Sequence, residues 1–162
     1  MAADTYRKAE ASDAPALSKL ARRALQPYAL PGWSDHAIQR LLDENSESAL
    51  RDFVPTAAFV HLCVESDSVV GFIANKVPRL VSLLVVDPDR QRHGIGSRLL
   101  ASMFDFVAAH APEVSVVEVN ATEYSVPFYR RHGFHPLSGF IDYEGCRFAR
   151  LGYWRKNPLL PK

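Results

Sequence analysis

The run from Leu80 to Val107 constrains this chain more than any other feature. Leu80-Val81-Ser82-Leu83-Leu84-Val85-Val86 is apolar everywhere except Ser82, which predicts a central strand covered on both faces. Asp87-Pro88 ends it, and a polar loop follows, Asp89-Arg90-Gln91-Arg92-His93-Gly94-Ile95-Gly96. Ile95, Leu99, Leu100, Met103, Phe106 and Val107 then recur at helical spacing until Pro112 stops the helix. A buried strand that enters a long helix through a glycine loop requires an α/β arrangement.

The loop also carries chemistry. Gly94 and Gly96 accept backbone conformations that side chains hinder, and they let a ligand approach the main chain. The N–H groups of the loop and first helical turn point at an anion, and the helix dipole adds to the attraction. Arg90, Arg92 and His93 place positive charge nearby. A phosphate-binding P-loop needs a lysine between the glycine and hydroxyl residue, where Gly96-Ser97 has none. A dinucleotide fingerprint needs a third glycine, and Arg92 and Leu99 stand where it would fall. The loop alone therefore implies a phosphate or pyrophosphate cradle, or a turn that merely starts a helix.

The flanking segments read as one α/β unit. Thr5 to Ala9 predicts a short strand. Ser12 or Asp13 is placed to cap a helix bearing Leu17, Leu20, Ala21, Ala24 and Leu25. Pro27 limits that helix. A second helical region runs from Ser34 with Ile38, Leu41 and Leu42 on one side, is interrupted at Glu44 to Glu47, and closes at Pro55. Ala58 to Glu65 and Val69 to Val77 predict a hairpin around Ser66-Asp67-Ser68, with Gly71 marking a bulge or close packing. Val114 to Val119 predicts a further strand, then a short helix ending near Arg131 at the His132-Gly133 stop. Phe134 to Trp154 reads as two strands turning near Glu144-Gly145, and Asn157 to Lys162 as a proline-containing tail. A single domain over residues 1–162 is expected, with its core between about 5 and 154.

Composition excludes several classes of function. The 19 Lys plus Arg balance 18 Asp plus Glu, a net charge of +1. No whole-protein field argues for nucleic acid or a membrane surface. No apolar run spans a bilayer, and Met1 to Lys8 lacks the layout of a signal peptide, so a cytoplasmic location is expected. Cys63 and Cys146 stand isolated in apolar, strand-like surroundings, and the six histidines form no close-spaced cluster. Reduced packing thiols and no metal are expected.

Two stretches together resemble the GCN5-related N-acetyltransferases, the GNAT superfamily. Val86 through Leu100 is similar to that superfamily's coenzyme A-binding signature. Val119-Asn120-Ala121-Thr122 through Phe128-Tyr129-Arg130-Arg131-His132-Gly133-Phe134 is similar to its later segment, with the Phe-Tyr-x-x-x-Gly-Phe pattern intact. The resemblance implies a GNAT-like fold: a mixed, mostly antiparallel central sheet, splayed parallel central strands and flanking helices. It implies acetyl-coenzyme A as donor cosubstrate, with the pantetheine arm between the splayed strands. Main-chain groups of Leu84, Val85 and Val86 would bond its amides. Gln91, Arg92, His93, Gly94, Ile95, Gly96 and Ser97 would cradle the pyrophosphate, and Asn120 and Thr122 would contact the arm. Tyr129 would lie near the sulfur and donate a proton or hydrogen bond to the leaving thiolate.

Many relatives carry a glutamate on the strand before the glycine loop, whereas Leu80 to Val86 contains no carboxylate. Glu118 on the neighbouring strand is the alternative base, or a paired sheet carboxylate; His36, Asp142 and Glu144 are weaker options. The resemblance places the acceptor pocket between early helices and C-terminal strands, with Tyr28, Trp33, His36 and Tyr143 as candidate contacts. The acceptor is an amine, of a small molecule or of a peptide or protein. The chain is expected to be a monomer or homodimer. The competing reading is a non-catalytic, regulatory module that binds coenzyme A or its acyl form.

Overall fold

The computed structural model describes residues 3–155, and the tail expected over Asn157 to Lys162 lies outside them. The first strand is β1 (Thr5–Lys8), followed by helices α1 (Ala14–Ala24), α2 (Asp35–Glu44) and α3 (Glu47–Phe53). Strands β2 (Phe59–Glu65) and β3 (Ser68–Asn75) form the hairpin. Then come β4 (Leu80–Val81), β5 (Leu83–Val86), α4 (Ile95–His110), β6 (Val116–Ala121), α5 (Val126–Arg131), β7 (His135–Tyr143) and β8 (Cys146–Trp154).

The strands form two four-stranded sheets, ordered β1-β2-β3-β5 and β4-β6-β8-β7. All pairings are antiparallel except β4 with β6, which run parallel through Leu80–Glu118 and Val81–Val119. This is the mixed, mostly antiparallel sheet with splayed parallel strands that the resemblance implies. The single strand expected over Leu80 to Val86 is corrected: it breaks at Ser82 and changes partner there, leaving β6 for β3. Ser82 makes the exchange physically sound. Its N–H donates to the Ala74 carbonyl at 2.8 Å, and its hydroxyl accepts from the Lys76 N–H at 2.9 Å. A short polar side chain thus replaces ladder bonds at the corner. The strand is also less covered than expected, because Leu83, Leu84 and Val86 are only partly buried.

Alternation along the strands feeds two cores. Leu62, Phe72 and Val85 face α1 and α3, where Leu17, Leu20, Ala21 and Leu50 are buried. Cys63 and Ile73 face α4, whose Ile95, Leu99, Leu100, Met103 and Val107 pack with Val117, Val119, Phe134 and Leu151. Full burial of each such Leu or Ile is worth ~1.5–3 kcal/mol. These layers, rather than the two-residue β4, hold the sheets in place.

Gly71 satisfies both expectations for it. The β2–β3 register shifts beside it, at Cys63/Val64. A Cβ at Gly71 would also come within 2.8 Å of Ile95 Cγ2, so α4 lies directly on the strand. The interruption expected at Glu44 to Glu47 separates α2 from α3. Ser34 and Ser46 cap those helices, accepting from the Ala37 and Ala49 N–H groups at 3.1 and 3.3 Å. Asp13 behaves differently from the cap expected of it. It stands at the start of α1, but its carboxylate accepts from the Glu10 N–H at 2.8 Å and pairs with Arg7 at 2.7 Å. The Arg7 hydrogen bond is the main reason its carboxyl titrates below the usual range.

Candidate active site

β5 ends its sheet, with β3 along one edge and, among the described residues, no strand along the other. An extended strand directs its N–H and C=O groups to both edges. The free edge of Leu83 to Val86 therefore faces the gap opened where β5 diverges from β6. A cleft of about 180 Å³ occupies this gap. Val81 to Val86, Val119, Asn120 and Thr122 line it from the sheets, Ser125 and Tyr129 from α5 and its approach, and Gln91 from the loop. Ala24, Leu25, Ala29, Leu30, Trp33 and Leu41 close the other side.

The loop beyond β5 is built from unusual backbone. Gly94 has φ +82° and caps α4, and Arg92 has φ +64° without being a glycine. That conformation is sparsely populated by side-chain-bearing residues and turns successive N–H groups toward one concave face. A Cβ at Gly94 would meet nothing within 4 Å, so glycine is required there for its conformation and not for space. At Gly96 the reason is crowding, since a Cβ would fall 3.2 Å from Phe128 Cε2. Arg92, His93 and Gly94 are exposed and Ile95 is buried at the helix start. Asp87 anchors the loop. Its partial burial opposes ionisation, but the Asp89 N–H and the Arg23 guanidinium, 3.0 Å away, outweigh this and hold its carboxyl below the usual range.

Helix α5 is docked onto this loop by two contacts that the sequence does not announce. Phe128 rests on Gly96. His132 Nε2 lies 2.8 Å from Ser97 Oγ, while His132 Nδ1 lies 2.8 Å from the Phe128 carbonyl. A carbonyl accepts only, so Nδ1 carries a proton; in the neutral ring Nε2 then accepts from the Ser97 hydroxyl. The docking fixes Tyr129, which is buried, lines the cleft and packs edge-on against Phe128 and Phe134 at 5.2 Å each. Among the described residues its hydroxyl has no hydrogen-bond partner. Burial pushes the phenol well above the ordinary tyrosine range, so it stays protonated at neutral pH.

A second missed group is Tyr124. Its hydroxyl donates to Gln91 Oε1 at 2.8 Å, and Gln91 Nε2 donates to the Val86 carbonyl at 3.3 Å. Tyr28 packs edge-on against Tyr124 with ring centroids 5.6 Å apart. Tyr124 stands between the Asn120-Ala121-Thr122 and Phe128-Tyr129 segments, which was the available signal for it.

The other candidates separate. Trp33 lines the cleft, with Nε1–H donating to the Arg147 carbonyl at 2.9 Å. Tyr28 is exposed and does not line the cleft, reaching it only through its packing on Tyr124. His36 is exposed on α2 and Tyr143 is exposed at the hairpin end, and neither lines the cleft. Glu118 shares a strand face with Asn120, but its carboxylate lies 3.2 Å from the Arg150 guanidinium and does not line the cleft. Asp142 pairs with Arg147 at 3.1 Å. Cys63 is a buried free thiol and Cys146 a partly buried one.

The sequence matches the model of the acetyltransferase (GNAT) domain over residues 29–152. The chain belongs to the GNAT acetyltransferase family. Solved structures share the fold of this GNAT chain. A GCN5-related N-acetyltransferase from Rhodopseudomonas palustris has a TM-score of 0.80 at 14% identity, covering 95% of this chain and 97% of that one. The PaiA N-acetyltransferase from Thermoplasma acidophilum, solved with coenzyme A, has a TM-score of 0.75 at 16% identity, covering 94% and 99%. The ribosomal-protein-S18-alanine N-acetyltransferase from Escherichia coli has a TM-score of 0.65 at 19% identity, covering 99% and 100%. No curated protein matches this GNAT chain by sequence. Among its described residues, no helix is long and apolar enough to cross a membrane.

Proposed function

We propose that the protein transfers an acetyl group from acetyl-coenzyme A to a primary amine by direct attack. The observation that carries this reading is the unpaired edge of β5. It lines the cleft, is followed after one short turn by the loop of Gln91 to Gly96, and shares the cleft with Tyr129. Edge groups enclosed in a cleft need partners. An arm with amides at one end and a pyrophosphate at the other matches an open strand edge followed by an anion cradle. That the PaiA relative was solved with coenzyme A supports the same assignment.

In this reading Leu84 to Val86 hold the arm through main-chain groups, with Asn120 and Thr122 beside it. Gln91 to Ser97 hold the pyrophosphate at the start of α4. The donor contributes an activated thioester carbonyl. The Val86 N–H stabilises the developing negative oxygen, and Tyr129 supplies a proton or hydrogen bond to the departing sulfur. A phenol kept protonated by burial suits that task.

The test is release of coenzyme A thiol from acetyl-coenzyme A in the presence of a broad amine panel. Amine-dependent release supports the enzyme. Tight acetyl-coenzyme A binding with no release from any amine supports the second reading, a regulatory binding module. That reading draws on the absence of a carboxylate among the cleft-lining residues.

A further inference from the structure

The cleft that would receive the amine carries no formal charge: among the described residues, no Asp, Glu, Lys, Arg or His lines it. The charged groups around it are engaged elsewhere. On β6, Glu118 pairs with Arg150; at the end of β5, Asp87 pairs with Arg23; and from the loop after β6, Glu123 lies 3.9 Å from Arg147, which also binds Asp142. From α2, Arg40 donates to the Glu144 carbonyl and lies 3.3 Å from Cys146 Sγ. Tyr129, the buried phenol on the cleft wall, stays protonated at neutral pH.

An alkylammonium entering such a cleft loses its hydration and finds no counter-ion, which is heavily disfavoured. At neutral pH only about one part in a thousand of an ordinary alkylamine is unprotonated. With no base on the wall, the protein has no side chain there to raise that fraction. The far wall offers Ala24, Leu25, Leu30 and Leu41 beside Trp33, which its bond to the Arg147 carbonyl holds in place. We infer that the acceptor is an apolar, weakly basic amine of the arylamine class, already neutral in solution, with Trp33 as the residue that selects it. This rests on the N-acetyl transfer reading and explains why no carboxylate is needed.

The step balances without a further reactant. The amine lone pair forms the C–N bond as the C–S bond breaks, and the proton lost by nitrogen ends on sulfur. Amine plus thioester gives amide plus thiol.

The test compares an arylamine with a benzylamine of the same ring size, following thiol release from acetyl-coenzyme A across about pH 6 to about pH 9. The expected result is a kcat/KM near neutral pH at least ~100-fold higher for the arylamine and flat with pH, while benzylamine rises roughly tenfold per pH unit. Trp33→Ala should raise the arylamine KM ~10-fold with the acetyl-coenzyme A KM unchanged, and Trp33→Phe should restore most of it. Equal or better use of benzylamine near neutral pH, with thiol released, overturns the acceptor class and leaves N-acetyl transfer standing. An unchanged arylamine KM in a folded Trp33→Ala protein overturns the role of Trp33. Acetyl-coenzyme A binding by calorimetry with no release from either amine overturns the acceptor class; the transfer reading falls with it only when the broad amine panel also gives no release.

Discussion

The two walls of the cleft are built in opposite ways. On the β5 side, Leu83 to Val86 and Gln91 line the cleft and the chain continues beyond it to Ser97, and much of what this stretch presents is backbone: a free strand edge, a left-handed Arg92 and Gly94, and the start of a helix. The wall toward α1 and α2 is gathered from separate places in the chain, from Ala24 and Leu25, from Ala29, Leu30 and Trp33, and from Leu41. Backbone groups are the same whatever the residue, so the first wall suits a ligand common to many reactions. Side chains differ freely, so the second suits a ligand particular to this protein.

Substitutions break or sharpen that division. The largest effect is expected where the walls meet, at Tyr129. Tyr129→Phe should lower kcat by ~10²–10⁴-fold with the donor dissociation constant within about twofold; steady-state kinetics beside calorimetry decide it, and an unchanged kcat removes the proposed role. Next is Gly96→Glu, which adds bulk against Phe128 and a negative charge in the cradle. Donor affinity should fall by ~100-fold or more, measured by calorimetry on a protein shown to be folded. Leu41→Ala should act on the other wall alone, raising the acceptor KM ~5–10-fold while donor binding stays constant. Gly71→Ala should touch neither ligand directly. Its Cβ would press on Ile95 and Leu99, costing ~1–3 kcal/mol and lowering the melting temperature by several degrees.

The smallest effect concerns pH. Burial raises the folded Tyr129 phenol above its unfolded value near 10. The unfolded chain therefore ionises first. Stability from this site is intact below about pH 10 and declines as pH rises toward the folded value. Tyr6, pushed up to about 12 chiefly by burial, acts in the same direction. Denaturant titrations near pH 8 and near pH 11 should show a smaller decline for Tyr129→Phe than for the wild type.

The same division governs what the sequence discloses. The loop, α4 and the Phe128-Tyr129 helix are legible because their residues are neighbours in the chain. The break at Ser82 is not, since an apolar run says that a strand is buried but not which strand it pairs with. The turn at Arg92 is hidden because nothing in an arginine signals φ +64°. The Ser97–His132 contact spans 35 residues and depends on how α5 meets the loop. The α1–α2 wall is the least legible, since helical spacing marks Leu25 and Leu41 as apolar without saying that they face a cleft. Trp33 stands on that wall, whereas His36, only three residues later, points to solvent.

An unpaired strand edge attracts other polypeptides as readily as a cofactor, and on an open surface it seeds aggregation. Here that edge sits in a crevice whose narrow end is closed by the Leu80–Glu118 and Val81–Val119 pairs. At the other end the Gln91 amide meets the Val86 carbonyl, and Tyr124 holds Gln91 there. A foreign strand brings side chains on both faces and would find this slot too confined, while a thin unbranched arm has no such bulk. The shape that offers hydrogen bonds to a small molecule thereby shields this one edge from pairing with another chain.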